Sequence, residues 1–237
     1  MDKKGYVVCD ELKKQKENLE KTVEAAFSRI TSDHPNGKNH LLLSIAKTQI
    51  DKLLEKEINR IKSGDTIHIL ILEQSLQATL SIQIGGKEKQ VKISGTADRI
   101  DQVDGHPRII DYKTGKTEAK DLIIDFDKPL SDKSFQVLTY AWLYQNNDTN
   151  TKPTATSSDT IESGIYPLRL TSSAYIPATY KNNPELNTEV IKQYQQQLKE
   201  LITEICDPEA TFRCEPRDAK SCEYCPMKSA CTGSIKQ

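Results

Sequence analysis

Apolar residues recur at helical spacing over residues 10–30, where Leu12, Leu19, Val23, Ala26, Phe27 and Ile30 stand among Glu and Lys, so an amphipathic helix is predicted there. His34-Pro35-Asn36-Gly37 ends it with a turn. A second helix is predicted over 39–61, with Leu42, Ile45, Ile50, Leu53, Leu54, Ile58 and Ile61 on its buried side. Between 66 and 113 the period falls to two and β-branched residues dominate, predicting strands at 67–72, at 80–84 and from 91 onward. Gly85-Gly86 and Asp104-Gly105 are the turn pairs of an antiparallel meander. A helix follows over 134–144, carrying Val137, Leu138, Ala141, Trp142 and Leu143, with Ser131 or Asp132 as its cap. The polar, low-complexity stretch 146–160 cannot pack a core and is expected to be a disordered loop. A strand over 163–170 and a last helix over 186–206 complete the prediction, and no internal repeat is visible. The class is α/β.

The 237 residues include 33 basic and 34 acidic ones, a formal charge of −1, so a nucleic acid would have to be held by a local patch rather than by overall charge. No apolar run approaches the roughly 20 residues of a membrane span, and no signal core follows Met1, so a soluble cytoplasmic protein is expected. Four of the six cysteines fall in the last 24 residues. Their spacing, Cys222-x2-Cys225-x5-Cys231, is a chelating arrangement more typical of a reducing compartment than of a disulfide framework.

The most informative chemistry lies on the second hairpin. With Asp104-Gly105 as a two-residue turn, Val103 faces His106, Ile100 faces Ile109 and Asp98 faces Asp111. Lys113 projects on the same side as Asp111, and Tyr112 points away. Like charges directly opposed across a sheet are destabilising unless something neutralises them, and a divalent cation does so. Mg²⁺ accepts oxygen from one or two carboxylates, keeps waters, and activates one of them against a phosphoryl group. Lys113 adds a fixed positive charge beside the developing phosphorane.

Gly95-x-x-Asp98-Arg99-Ile100-Asp101, followed by Asp111-Tyr112-Lys113-Thr114-Gly115, resembles the nuclease domain of the RecB/AddB family within the PD-(D/E)XK superfamily, from about Glu11 to Cys231. That resemblance implies a restriction-endonuclease-like core: a central mixed β-sheet flanked by helices, with a Cys-rich C-terminal tail. It implies one nuclease domain over 1–237, with a helical part at 1–65, the catalytic sheet and helix at 66–170, and a last helix and tail at 171–237. It makes Asp98 and Asp111 metal ligands, Lys113 the catalytic lysine, and the Tyr112 backbone carbonyl a further ligand for Mg²⁺ or Mn²⁺. Glu73, at the end of the first strand, stands where the family often places another acidic ligand. Gln136 and Tyr140, four apart on one helix face, resemble the family's Gln-x-x-x-Tyr motif, which orients the DNA strand or the active-site groups. Lys133 and Ser134 are nearby candidates for phosphate contact. Arg99 and Asp101 lie on the other face, and Asp101 is read as structural.

The cysteine triplet Cys222, Cys225 and Cys231 matches the spacing that AddB-like members use, with one upstream cysteine, to hold a 4Fe–4S cluster. Cys9 is the only upstream candidate, while Cys206 and Cys214 fit the pattern poorly and are expected to be free thiols. The family's early histidine has no clear counterpart, His40 being the nearest. These gaps suggest the C-terminal part of a longer protein, with the fourth cluster ligand outside the chain. The implied function is a Mg²⁺-dependent DNA exonuclease or endonuclease working beside a helicase partner in recombinational repair. Two rivals stand against it: a non-catalytic nuclease-like scaffold with an iron–sulfur or zinc site that binds DNA or a partner, and a hydrolase of RNA or small molecules using the same metal site.

Overall fold

Helical periodicity near the N-terminus resolves into two helices rather than one. In the computed structural model, which describes residues 5–30, 37–147, 159–169, 174–210, 222–223 and 225–226, α1 covers Cys9–Glu17 and α2 covers Leu19–Ile30. Asn18 separates them. Its side-chain amide donates to the Lys14 carbonyl at 2.9 Å, the local alternative to helix continuation that Asn offers. Helix α3 (Gly37–Ser63) packs against both. The predicted turn at 34–37 and loop at 146–160 fall largely outside the described residues.

The strands are longer than their hydrophobic pattern suggests. β1 (Ile67–Ile84) and β2 (Lys87–Val103) are each continuous, joined by Gly85-Gly86 with both residues at positive φ. The alternation misleads because it changes phase. Ile71 belongs to the core, yet further along it is Leu76, Ala78, Leu80 and Ile82 that do. Between them Glu73 adopts φ 51°, and the β1–β2 ladder pairs Leu72 with Arg99 and Gln74 with Ala97 without pairing Glu73 and Asp98. Register is kept across that point and shifts instead between Ile69 and Ile71. Such irregularities bend a strand without ending it.

β3 (His106–Lys113) closes the second hairpin, and a short 3-10 turn leads to β4 (Ile123–Ile124). Then come α4 (Asp132–Gln145), β5 (Thr160–Pro167), β6 (Ile176–Pro177), β7 (Thr179–Tyr180), β8 (Leu186–Asn187) and α5 (Thr188–Ile205). The main sheet runs β1-β2-β3-β5-β6, with β8 also paired to β5. Only the β3–β5 pair among these is parallel, and α4 lies in the crossover between them, which makes the sheet mixed. β4 and β7 form a separate parallel pair.

Capping fixes the two helices that cover the sheet. Ser131 Oγ accepts from the Ser134 N–H at 3.0 Å, and Asn187 Oδ1 accepts from the Val190 N–H at 3.0 Å, so α5 starts two residues after its predicted 186. Val137, Leu138, Ala141, Trp142 and Leu143 of α4, and Val190, Ile191, Tyr194 and Leu198 of α5, join the core strands in one apolar cluster. Each fully buried large side chain there contributes about 1.5–3 kcal/mol.

Gly164 in β5 makes a specific demand on this sheet. A Cβ there would lie 2.3 Å from the Ile176 carbonyl oxygen and 2.8 Å from Pro177 Cα, both backbone atoms of the paired strand β6. Gly164→Ala should therefore destabilise the fold by about 1–3 kcal/mol, read as a lower urea midpoint at unchanged slope. An unaltered midpoint would show that β6 moves away freely.

Candidate active site

The Asp104-Gly105 turn, both residues at positive φ, sets the β2–β3 register as expected: Val103 pairs with His106, Ile100 with Ile109 and Arg99 with Ile110. Beyond Arg99 the ladder gives way to a side chain. Asp98 Oδ2 accepts from the Tyr112 N–H at 2.8 Å, which fastens the first carboxylate to the strand that bears the second.

Asp111 is 3% exposed. Its Oδ1 accepts from Gln136 Nε2 at 3.1 Å, and the same amide donates to Tyr140 Oη at 2.9 Å. Its Oδ2 is buried, with the Lys113 ammonium Nζ at 2.8 Å as its opposite charge. Burial pushes the Asp111 carboxyl above its ordinary range, with the Asp98 charge adding to the push and Lys113 opposing it. The site is thus two adjoining carboxylates, one ammonium and an amide–phenol pair on α4.

Gly95 makes room for that pair, a role its place in the motif did not disclose. A Cβ at Gly95 would lie 3.1 Å from Tyr140 Cε1 and 3.3 Å from Leu143 Cδ1, so a side chain at position 95 would press on Tyr140 and Leu143 of α4. Glu73 differs from its expectation in two ways. It lies inside β1 rather than at a strand end, and it is exposed on a left-handed backbone. Among the described residues no three His, Cys, Asp or Glu side chains come together as a metal-holding group, so Glu73 is not gathered with Asp98 and Asp111.

The phosphate-contact expectation for α4 also needs correction. Ser134 is fully buried, its Oγ donating to the Asp121 carbonyl at 2.9 Å, and Lys133 Nζ is spent on Asp121 Oδ2 at 2.9 Å and on the Lys116 carbonyl at 2.6 Å. Both fasten the 3-10 turn to α4 instead. His40 is exposed on the first turn of α3. Cys222 and Cys225 are half-buried free thiols and Cys9 is free on α1, whereas Cys214 and Cys231 lie outside the described residues.

A family model for the PD-(D/E)XK nuclease superfamily matches residues 4–232. The chain belongs to that superfamily. No curated protein and no solved structure gives a significant match. The mixed sheet with flanking helices is consistent with the restriction-endonuclease-like fold of these nucleases.

For a nuclease of this superfamily the donor set suits a small, hard cation. Asp98 and Asp111 supply two carboxylates from adjacent strands, and Asp111 Oδ2 is a buried acceptor whose counter-charge is Lys113 at 2.8 Å. Mg²⁺ is held by one or two carboxylates with waters and substrate oxygens completing its shell, so two acids suffice. The reverse face of the hairpin carries charges of another kind. Asp101 is 0% exposed and accepts from Arg108 Nε and Nη2, both at 2.9 Å, while Arg99 Nη2 reaches Asp101 and, at 3.3 Å, Glu57 of α3. Asp101 is structural, as its position on that face predicts.

Proposed function

We propose that this chain is a Mg²⁺- or Mn²⁺-dependent deoxyribonuclease domain of RecB/AddB type, acting as an exonuclease on DNA. The observation that carries the reading is the Asp98 carboxylate fastened to the Tyr112 N–H next to the buried Asp111 carboxylate, with the Lys113 ammonium 2.8 Å from Asp111 Oδ2. Asp98, Asp111 and the Tyr112 carbonyl would hold the cation, and Glu73, exposed and not gathered with the two aspartates, is left out of the ligand set. The cation would neutralise the two acids, polarise the scissile phosphoryl group and lower the pKa of an attacking water. Lys113, one-third exposed, keeps an ammonium at the edge of the site where a phosphate can reach it. Gln136 holds the Asp111 carboxylate in one orientation and is itself set by Tyr140.

Cleavage of linear and circular DNA with Mg²⁺, with Mn²⁺ and with EDTA tests the proposal. Activity should vanish with EDTA, return with excess Mg²⁺, fall about 10²–10³-fold in Lys113→Ala, and act on linear DNA in preference to closed circles. Full activity in EDTA, or in the Lys113 variant, would refute it.

Cys222, Cys225 and Cys231 are proposed as three of the four ligands of a 4Fe–4S cluster, on the strength of their spacing. Iron content and visible absorbance after anaerobic purification should reveal the cluster, and Cys222→Ser should remove it. A colourless, iron-free protein would end that part of the proposal. A helicase partner and a role in recombinational repair follow from the RecB/AddB resemblance alone.

A further inference from the structure

A groove of about 610 Å³ runs between α5 and the segment that leads into α4. Phe126, Leu130, Phe135 and Leu201 supply its apolar wall. The wall is built rather than loose. Phe135 packs edge-on against Tyr194 at 5.7 Å, Tyr194 is 0% exposed, and Gln197 Nε2 donates to the Phe126 carbonyl at 2.8 Å. Leu201 is 41% exposed and Ile205, one turn further along α5, is 60% exposed, so the apolar surface continues past the groove.

Its rim is mainly acidic. Asp127, Asp132, Glu200 and Glu204 line it, and the single lysine among the lining residues, Lys128, is held by Asp125 at 2.7 Å. Four carboxylates beside an apolar channel repel a phosphate backbone and attract a cationic one. We infer that this groove docks a basic, amphipathic polypeptide segment of a partner protein, whose large apolar side chains fill the channel while flanking Lys or Arg residues meet the acidic rim. This is the helix-in-groove mode of recognition, with charge setting the choice of partner. Phe135 lines the groove and its neighbour Gln136 holds Asp111, so the docking face and the nuclease site both draw on α4 while using different residues of it.

The probe is a fluorescein-labelled helical peptide with Leu and Phe at i, i+4 and Lys on its flanks, titrated into the full chain by anisotropy, beside the same peptide with Glu in place of Lys. The basic peptide should bind and the acidic one should not. The Glu200→Lys/Glu204→Lys double variant and, separately, Leu201→Asp should each weaken binding about tenfold or more, whereas Glu189→Lys, an exposed acid at the start of α5, should not. Circular-dichroism melts confirm that each variant is folded. The inference fails if Glu189→Lys weakens binding as much as the rim variant, which would mean diffuse charge attraction. It also fails if Leu201→Asp binds like the parent, if duplex DNA displaces the peptide, or if sedimentation shows a dimer that Leu201→Asp dissolves, which would make a second copy the occupant.

Discussion

Replacing Asp111 by Asn should lower DNA cleavage about 10³-fold or more while leaving the fold at least as stable as the parent. The two effects have one origin. Asp111 is 3% exposed, and burial followed by the neighbouring Asp98 charge holds its carboxyl above the ordinary range even with Lys113 at 2.8 Å. A carboxyl raised in the folded state binds its proton more tightly folded than unfolded. The stability it costs therefore sets in as pH rises from its ordinary value of 3.8 through the raised one, and is fully present at neutral pH. Asn keeps the shape, can still meet Gln136, and removes that cost together with the charge that the cation needs. Initial cleavage rates in Mg²⁺, paired with thermal melts at pH 7 and at pH 4, give the two halves of the test. The parent's melting temperature should gain relative to the variant's on acidification. A variant that cleaves like the parent, or one that is inactive because it melts early, contradicts this account.

What could be read from the chain in advance was whatever short-range chemistry determines. Asp104-Gly105 admits positive φ at both positions and set the strand register as far as Arg99 opposite Ile110, whereas the expected Asp98–Asp111 pair is not in the ladder, the Asp98 carboxylate accepting from the Tyr112 N–H instead. Helix α4 was legible from its apolar face and its Ser131 cap. The misreadings arose where a single residue breaks a period. Asn18 turns its amide back onto Lys14 and divides one apolar stripe between two helices. Glu73 shifts the inward phase of β1 from Ile71 to Leu76, so a continuous strand looked like two, and a glutamate expected at a strand end lies in its middle. Other features depend on contacts distant in sequence. Nothing near Gly95 announces Tyr140, nothing near Gly164 announces the Ile176 carbonyl, and Glu57 meets Arg99 from 42 residues away along the chain. Gln136 was identified from the motif, but its division between Asp111 and Tyr140 needed coordinates.

Asp101→Ala should cost about 3–5 kcal/mol of folding free energy, the range for removing one partner from a buried ionic network. Asp101 stands between two guanidinium groups, Arg99 at 6% exposure and Arg108 at 4%. It takes both hydrogen bonds that Arg108 directs at it and a further contact from Arg99 Nη2 at 2.5 Å. Burial works against the Arg99 charge, and it is Asp101 and then Glu57 that raise its pKa above the ordinary value regardless. Without Asp101, Glu57 at 3.3 Å from Arg99 would be the remaining acid of this group, and Arg108 would lose both of its carboxylate bonds. Two cations would then face each other at low dielectric with half of their compensation gone. Glu57→Gln should cost less, because Glu57 Oε1 already has no hydrogen-bond partner and Arg99 keeps Asp101. Urea denaturation of the two variants ranks them, and the order Asp101→Ala below Glu57→Gln is the decisive result. The network also reaches the active strand, since Arg99 Nη1 donates to Tyr112 Oη at 3.4 Å while the Tyr112 N–H serves Asp98 on the opposite face. Cleavage per folded molecule should therefore fall in Asp101→Ala even below its melting range, through displacement of Tyr112 rather than through loss of a ligand, and raised Mg²⁺ should restore part of it. That partial rescue separates this variant from Asp111→Asn, in which added metal has no second carboxylate to recover.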